Sequence, residues 1–537
     1  MRIAALFLMA VFIPCAGAQN AENTLKQCSV QGTVVDAKTG QPLKGAEVSL
    51  RTLPPGNRGE SASSVSDSEG HFAFDSLVPG RYRLTASRNG YLSRNQRTGS
   101  GLRADVVSLS LGQHADDIIL RLIPSAVISG RVTSEGDEPM AGVMVQAMKY
   151  SYHEDRRQLV GFGNASTNDR GEYRIWGLSP GRYYIHASPP TGMAGRTSSQ
   201  VYFPIFYPGA SDPARTQALA LGPGDELSGI DFNFVSVHSV RVSGRVFNAG
   251  SMPAKDAQVT LAAVSGSMTF TVGQASTNAK GAFEIRGVPP GSYVLVAEQF
   301  GNGEPGKVMR GRSSIEVGER NLSDVEVVIG PGVTVTGHVR IEGKENPGLP
   351  ELSAVLEPQD DLSSLGLAPD VGRVPLRRDG TFTFLYVPED AYHIKVLPLP
   401  DGYYLKPSGE DDVITVGRNH APVVELTLST GAGRITGTVS KDKQPFAGST
   451  VVLVPEAPRR GQARFYRQAL SDAGGRFTIS SITPGDYKVF CWEEIERGMY
   501  LDPDFLRSYE DSGQAVHVEE GASLSLQLEL ISADALR

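Results

Sequence analysis

Gly70 and Tyr82 lie twelve residues apart in the stretch DSEGHFAFDSLVPGRYRL, and the chain keeps that interval four more times. Gly171 with Tyr183, Gly281 with Tyr293, Gly380 with Tyr392 and Gly475 with Tyr487 repeat it, at steps of 101, 110, 99 and 95 residues. Steps of that size are whole domains, whereas solenoid units of 20 to 50 residues must stack to survive. A chain of 537 residues is also far longer than one core can serve.

The residue types around each glycine have backbone reasons. Asp67, Asn168, Asn278 and Asp472 stand three residues before it, where a short polar side chain can accept from the amides of a tight turn. The glycine itself can take a positive φ cheaply. An aromatic follows two residues later (Phe72, Tyr173, Phe283, Phe382, Phe477) and starts an alternating run such as FAF or YRI, which reads as a half-buried strand. Pro-Gly then predicts a type II turn in LVPGRY, LSPGRY, VPPGSY and ITPGDY, with VPEDAY departing in the fourth copy. The tyrosine after the turn begins a further alternating strand, and its buried hydroxyl is expected to reach a backbone group and pin the corner.

Each copy opens on a Gly-x-Val strand, with glycines at 32, 130, 244, 337 and 437, and continues into a proline turn and an alternating strand such as PLKGAEVSL from Pro42. Closing patterns such as SIEVGERNLSDVEVVI from Ser314 complete the unit. Some seven short strands per unit with no helical period predict an all-β chain of five tandem Ig-like, transthyretin-like antiparallel Greek-key β-sandwiches in an elongated array. The expected bounds are 26–124, 125–237, 238–331, 332–430 and 431–537.

The order Gly-x-Val, Pro-x-x-Gly-Ala-x-Val, Asp-x-x-Gly-x-Phe, Pro-Gly-x-Tyr resembles the carboxypeptidase regulatory-like domain, a sandwich also grouped with carbohydrate-binding-like folds. The likeness is strongest in copies one, two, three and five. In metallocarboxypeptidases this domain accompanies a separate catalytic domain, and the five copies leave no length for one. The resemblance therefore implies stabilising, spacing or recognition roles and no peptidase activity.

The first eighteen residues, MRIAALFLMAVFIPCAGA, read as a secretory signal cut before Gln19, since the apolar run is too short to span a bilayer. The expected location is periplasmic, outer-membrane-associated or extracellular. Beyond that segment, Cys28 and Cys491 are expected as unpaired thiols, Cys491 buried. With 51 basic against 59 acidic residues and a net charge of −8, nucleic acid is not an expected partner.

No HExxH, GxSxG or phosphate-binding loop occurs, so no catalytic residue, metal ligand or cofactor is assigned. The one HxxE, His517 with Glu520, reads as strand and turn residues. Asp67 with Glu69, and Asp360, Asp361 and Asp370, are acidic clusters without the spacing of a calcium loop. No buried lysine recurs on the Gly-x-Val strands to support a covalent Lys-Asn crosslink. Two places are candidate contacts for a protein or polysaccharide at the cell surface. One is the insertion VYFPIFYPGASDPAR with Tyr202, Phe203, Phe206 and Tyr207; the other is Trp492 in FCWEEIERGMYLDPDFLRSYE, a short helical or looped excursion. Trp176 in YRIWGL is expected to face outward.

Overall fold

The computed structural model describes residues 28–53, 61–93, 105–153, 156–190, 200–265, 268–300, 308–342, 351–359, 362, 367, 371–406, 413–418, 420–493, 495 and 498–532. The signal-like segment lies outside them. The chain divides into two compact units, one of Met1–Ile128, Ile175–Arg182 and Ala220–Ser228, the other of Ser129–Arg174, Tyr183–Leu219 and Gly229–Arg537. The division passes through repeat two.

Repeat three shows the local plan. Strands Ala282–Val288, Val240–Asn248 and Leu322–Ile329 form one sheet; Met268–Ser276, Gln258–Ser265, Gly291–Phe300 and Val308–Val317 form the facing one. Alternation sets the layers: in Gly291–Phe300 the inward set Tyr293, Leu295 and Ala297 joins Val242, Val259, Phe283 and Ile285 in one core. Repeats one, four and five have matching cores around Tyr82, Tyr392 and Tyr487.

One pairing departs from the antiparallel expectation. The Gly-x-Val strand pairs antiparallel with the cassette strand on one side and parallel with the closing strand on the other. Gly32 faces Ile118 that way, as do Gly244 and Val325, Gly337 and Val424, and Gly437 and Leu526. The first and last strands of a repeat lie side by side and run the same way, which hairpins alone cannot produce.

The cassette strand carries a bulge. Between the pairs Cys28–Leu77 and Val30–Phe74, the register shifts by one residue. A left-handed residue marks this place in every repeat: Ser76, Gly177, Gly287, Tyr386 and Ser481, with φ of 59°, 76°, 73°, 59° and 56°. Downstream, the predicted type II turn is not what forms. Gly181, Gly291 and Gly485 sit at φ of 145°, 159° and 152°, far from the roughly +80° of that turn, because each is already the first residue of the next strand.

Inside the larger unit the repeats touch through side chains. Arg312 of repeat three reaches Asp390 of repeat four at 2.6 Å. Leu362 and Leu367 of repeat four cover Ala262 and Val296 of repeat three. Ser429 of repeat four donates to Glu520 Oε1 of repeat five at 2.8 Å. Arg157 also comes within 3.5 Å of Asp502, a contact between repeats two and five inside this unit.

Candidate functional site

The repeated cassette commits its polar atoms to itself. Asp67 Oδ1 accepts from the amides of Glu69 and His71 at 2.9 and 2.8 Å, and Asn168, Asn278 and Asp472 accept from the same two turn positions. These bonds, that from the His71 amide foremost, hold the Asp67 carboxyl below the usual carboxylate range. Gly70, Gly171, Gly281, Gly380 and Gly475 have φ between 69° and 83°. Their carbonyls accept from the valine of the Gly-x-Val strand, as in Val34 to Gly70 at 2.8 Å. The tyrosines behave alike: Tyr82, Tyr293, Tyr392 and Tyr487 donate to Val78, Pro289, Pro388 and Thr483, each four residues back, at 2.6 to 2.9 Å. Tyr183 is equally buried.

The aromatic insertion of repeat two turns its rings inward. Phe206 is 2% exposed and packs 4.7 Å from the His186 ring, over Met148 and Leu159. Burial pushes that imidazole down to about 4. Tyr202, Phe203 and Tyr207 are half-buried, meeting Phe234, Phe270 and Phe232 edge-on at 6.0, 5.2 and 6.0 Å. Phe203 thereby leans on the core of repeat three.

Trp492 presents no face to a ligand, which corrects its reading as a sugar platform: it is fully buried, stacked at 5.2 Å on Phe490 and bordered by Phe505 and Tyr509. It belongs to a second apolar cluster, with Val452, Val454 and Leu506, on the outer face of the sheet containing Thr450–Pro455 and Gly485–Trp492. The excursion carries 3-10 turns and the short helix Pro503–Arg507. Its outer rim is polar: Glu510 takes two bonds from Arg460, at 2.9 and 3.0 Å, and one from Lys488 at 2.7 Å. The bonds from Arg460, then Lys488, hold the Glu510 carboxyl low. Among the described residues the exposed aromatics lie elsewhere: Trp176 at 72%, Phe300 at 66%, Tyr386 at 53% and Phe162 at 46%. Only Trp176 is signalled by sequence, through its place out of phase with the core residues.

His517 and Glu520 do not converge. His517 Nδ1 lies 2.6 Å from Asp486, whose hydrogen bond and charge raise the imidazole pKa, while Glu520 serves Ser429. Among the described residues no three or more His, Cys, Asp or Glu side chains form a metal-sized group. Asp360, Asp361 and Asp370 lie outside the described residues. Cys28 and Cys491 are buried free thiols; burial pushes Cys491 up to about 11, far from the reactive thiolate range.

A cleft of about 680 Å³ opens on repeat three, lined by Ser243, Arg245, Ser276, Asn278, Glu284 and Glu326 among others. Glu284 is held by Arg286 at 2.5 Å and by Arg241 at 3.3 Å, and those bonds lower its carboxyl pKa. A carboxyl held low is a poor general acid at neutral pH. No described helix is long and apolar enough to cross a membrane.

The carboxypeptidase regulatory-like domain matches two stretches of the chain, residues 29–113 and 241–330, in repeats one and three. No curated protein matches. Among solved structures, the Bacillus anthracis TIE protein is 12% identical, with 73% of this chain and 68% of that one covered and a TM-score of 0.17. A streptococcal ancillary pilin is 10% identical (56% and 98% covered, TM-score 0.22), and GBS52, the minor pilin of Streptococcus agalactiae, is 14% identical (39% and 96% covered, TM-score 0.22). TM-scores this low establish no shared overall arrangement.

Proposed function

We propose that this chain is an exported, non-catalytic scaffold of five carboxypeptidase regulatory-like sandwiches, with bounds at 26–124, 125–237, 238–331, 332–430 and 431–537, that engages protein or polysaccharide at the cell envelope. The observation that carries the reading is the cassette itself. Its turn acids, glycines and tyrosine hydroxyls are spent on local backbone groups, so the repeated residues build corners and leave recognition to the loops that differ between copies. Several weak loop contacts on one chain then add through effective concentration.

Two measurements test it. Purified protein lacking residues 1–18, assayed for release of C-terminal residues from peptides with and without zinc, is expected to show none. Zinc-dependent release that disappears in Glu520→Gln overturns the non-catalytic reading. Fractionation of cells expressing the tagged full chain is expected to find it in the envelope or medium with Gln19 as its first residue; an intact Met1 terminus in the cytosol overturns export.

Carbohydrate recognition is a second reading, favoured by the polar open cleft on repeat three and by Trp176 at the surface. On a glycan array, binding lost in Glu326→Ala or Trp176→Ala supports it, and no binding to any glycan supports a protein partner.

A further inference from the structure

Strand Met144–His153 packs against the turn Met499–Leu501, and Arg157 on the adjoining strand reaches Asp502 at 3.5 Å across 345 residues of sequence. Both sides of this contact are built. Asp502 is only 14% exposed and its carbonyl accepts from the Leu506 amide, so it is held by the short helix whose Phe505 and Leu506 pack with Trp492. The Arg157 guanidinium lies 3.7 Å over the ring of Tyr150, which meets Tyr184 edge-on at 5.1 Å. A guanidinium fixed on an aromatic face loses little freedom when it then pairs with a carboxylate.

The excursion is not needed to complete its own sandwich. The core of repeat five, around Ile435, Phe477 and Tyr487, closes without it, and the Trp492 cluster is a separate layer. In repeat three the strand equivalent to Gly485–Trp492, Gly291–Phe300, pairs along its whole length with Val308–Val317. The extra chain covers the outer face of its own sheet and, beyond that, reaches repeat two.

We propose that segment 498–513 is a clasp whose occupant is the hairpin Met144–His153 with Arg156–Ser166, and that by holding this hairpin it fixes the Phe206 segment. The link runs through packed side chains: Tyr150 and Tyr184 border the cluster of Met148, Leu159 and Phe206. The surface of repeat two nearest the aromatic insertion is thus set by a segment of repeat five.

The test is hydrogen exchange on the full chain. In Asp502→Asn, amides of residues 148–153 and 205–207 are expected to exchange several-fold faster, and in Arg157→Gln those of 503–507. A second measurement uses the chain lacking residues 1–18, and with them Cys15, carrying Arg157→Cys with Asp502→Cys, and a short bis-maleimide; Cys28 and Cys491 are buried and do not compete. The expected product joins the peptides carrying positions 157 and 502 within one molecule. Exchange changes confined to 498–513 in Asp502→Asn overturn the clasp, as do crosslinks found only between molecules. Should the double-cysteine variant fail to fold, the exchange of the single variants decides alone.

Discussion

A tyrosine hydroxyl bonded to the carbonyl four residues back closes a corner that Pro-Gly cannot close, because the glycine has already entered the next strand. In repeat five, Tyr487 is 1% exposed and Thr483, which accepts its bond at 2.6 Å, is 6% exposed. Tyr487→Phe keeps the ring and strands that carbonyl, so it is expected to cost about 1–2 kcal/mol. Since a chain of several domains does not unfold in one step, the measurement is native-state exchange of amides 485–492. The left-handed bulge residue gives the opposite sign. Tyr386 holds φ of 59° with its side chain exposed, so Tyr386→Gly relieves backbone strain and is expected to stabilise repeat four by about 1 kcal/mol, read from amides 381–387. His186 supplies a pH dependence. Its imidazole is neutral in the fold down to about pH 4 but takes a proton near 6.5 when unfolded, so the unfolded state binds more protons between those values. Stability is full above pH 6.5 and falls on acidification through this window, by about 3 kcal/mol at most, since each tenfold difference in proton affinity between the two states is worth about 1.4 kcal/mol. In His186→Leu, exchange of amides 181–188 should lose that acid sensitivity.

Strand register couples two motifs that the sequence shows only as separate signatures. The glycine of Gly-x-Val sits opposite the cassette aromatic: Gly32 with Phe72, Gly244 with Phe283, Gly337 with Phe382 and Gly437 with Phe477. A methyl group on Gly244 would overlap the Val325 carbonyl of the parallel partner, so backbone would have to move. Gly244→Ala is expected to cost about 3 kcal/mol or more in amides 240–248. Gly318→Ala in the same repeat, where a methyl meets nothing within 4 Å, is expected to be near neutral. Strands, corner tyrosines and turn acids were legible because each rests on a local rule: period two, an Asx turn, a buried aromatic. The parallel partner was not, since nothing local ties strand Val240–Asn248 to Leu322–Ile329. Nor was the bulge, because glycine marks it in only two of the five repeats and Ser or Tyr bears the strain in the rest. Trp492 reads as an exposed aromatic because the five-residue helix that helps cover it is too short to show a helical period.

Above the single sandwich, the larger unit is joined by groups on strands and connections far apart in sequence, and those groups decide how far one repeat can move against the next. The pair Arg312–Asp390 is well enclosed for an ion pair between repeats, with side chains 20% and 11% exposed. It lies near a second enclosed pair, Arg310–Glu298, in which burial lowers the Arg310 pKa. Removing one partner of such a pair leaves the other charge poorly solvated, which costs more than the pair itself contributes. Arg312→Ala is accordingly expected to loosen the junction by about 2 kcal/mol, and Asp390→Ala by a similar amount, read from exchange of strands Val308–Val317 and Asp390–Leu397. If the two residues act through each other, the double variant costs less than the sum, leaving a coupling of about 1–2 kcal/mol. Additive losses would mean that each side chain serves its own repeat and that the junction rests on Leu362 and Leu367 over Ala262 and Val296. Salt separates the two cases further: a partly exposed ion pair weakens in 1 M salt, where the screening length falls to about 3 Å, whereas an apolar seat does not.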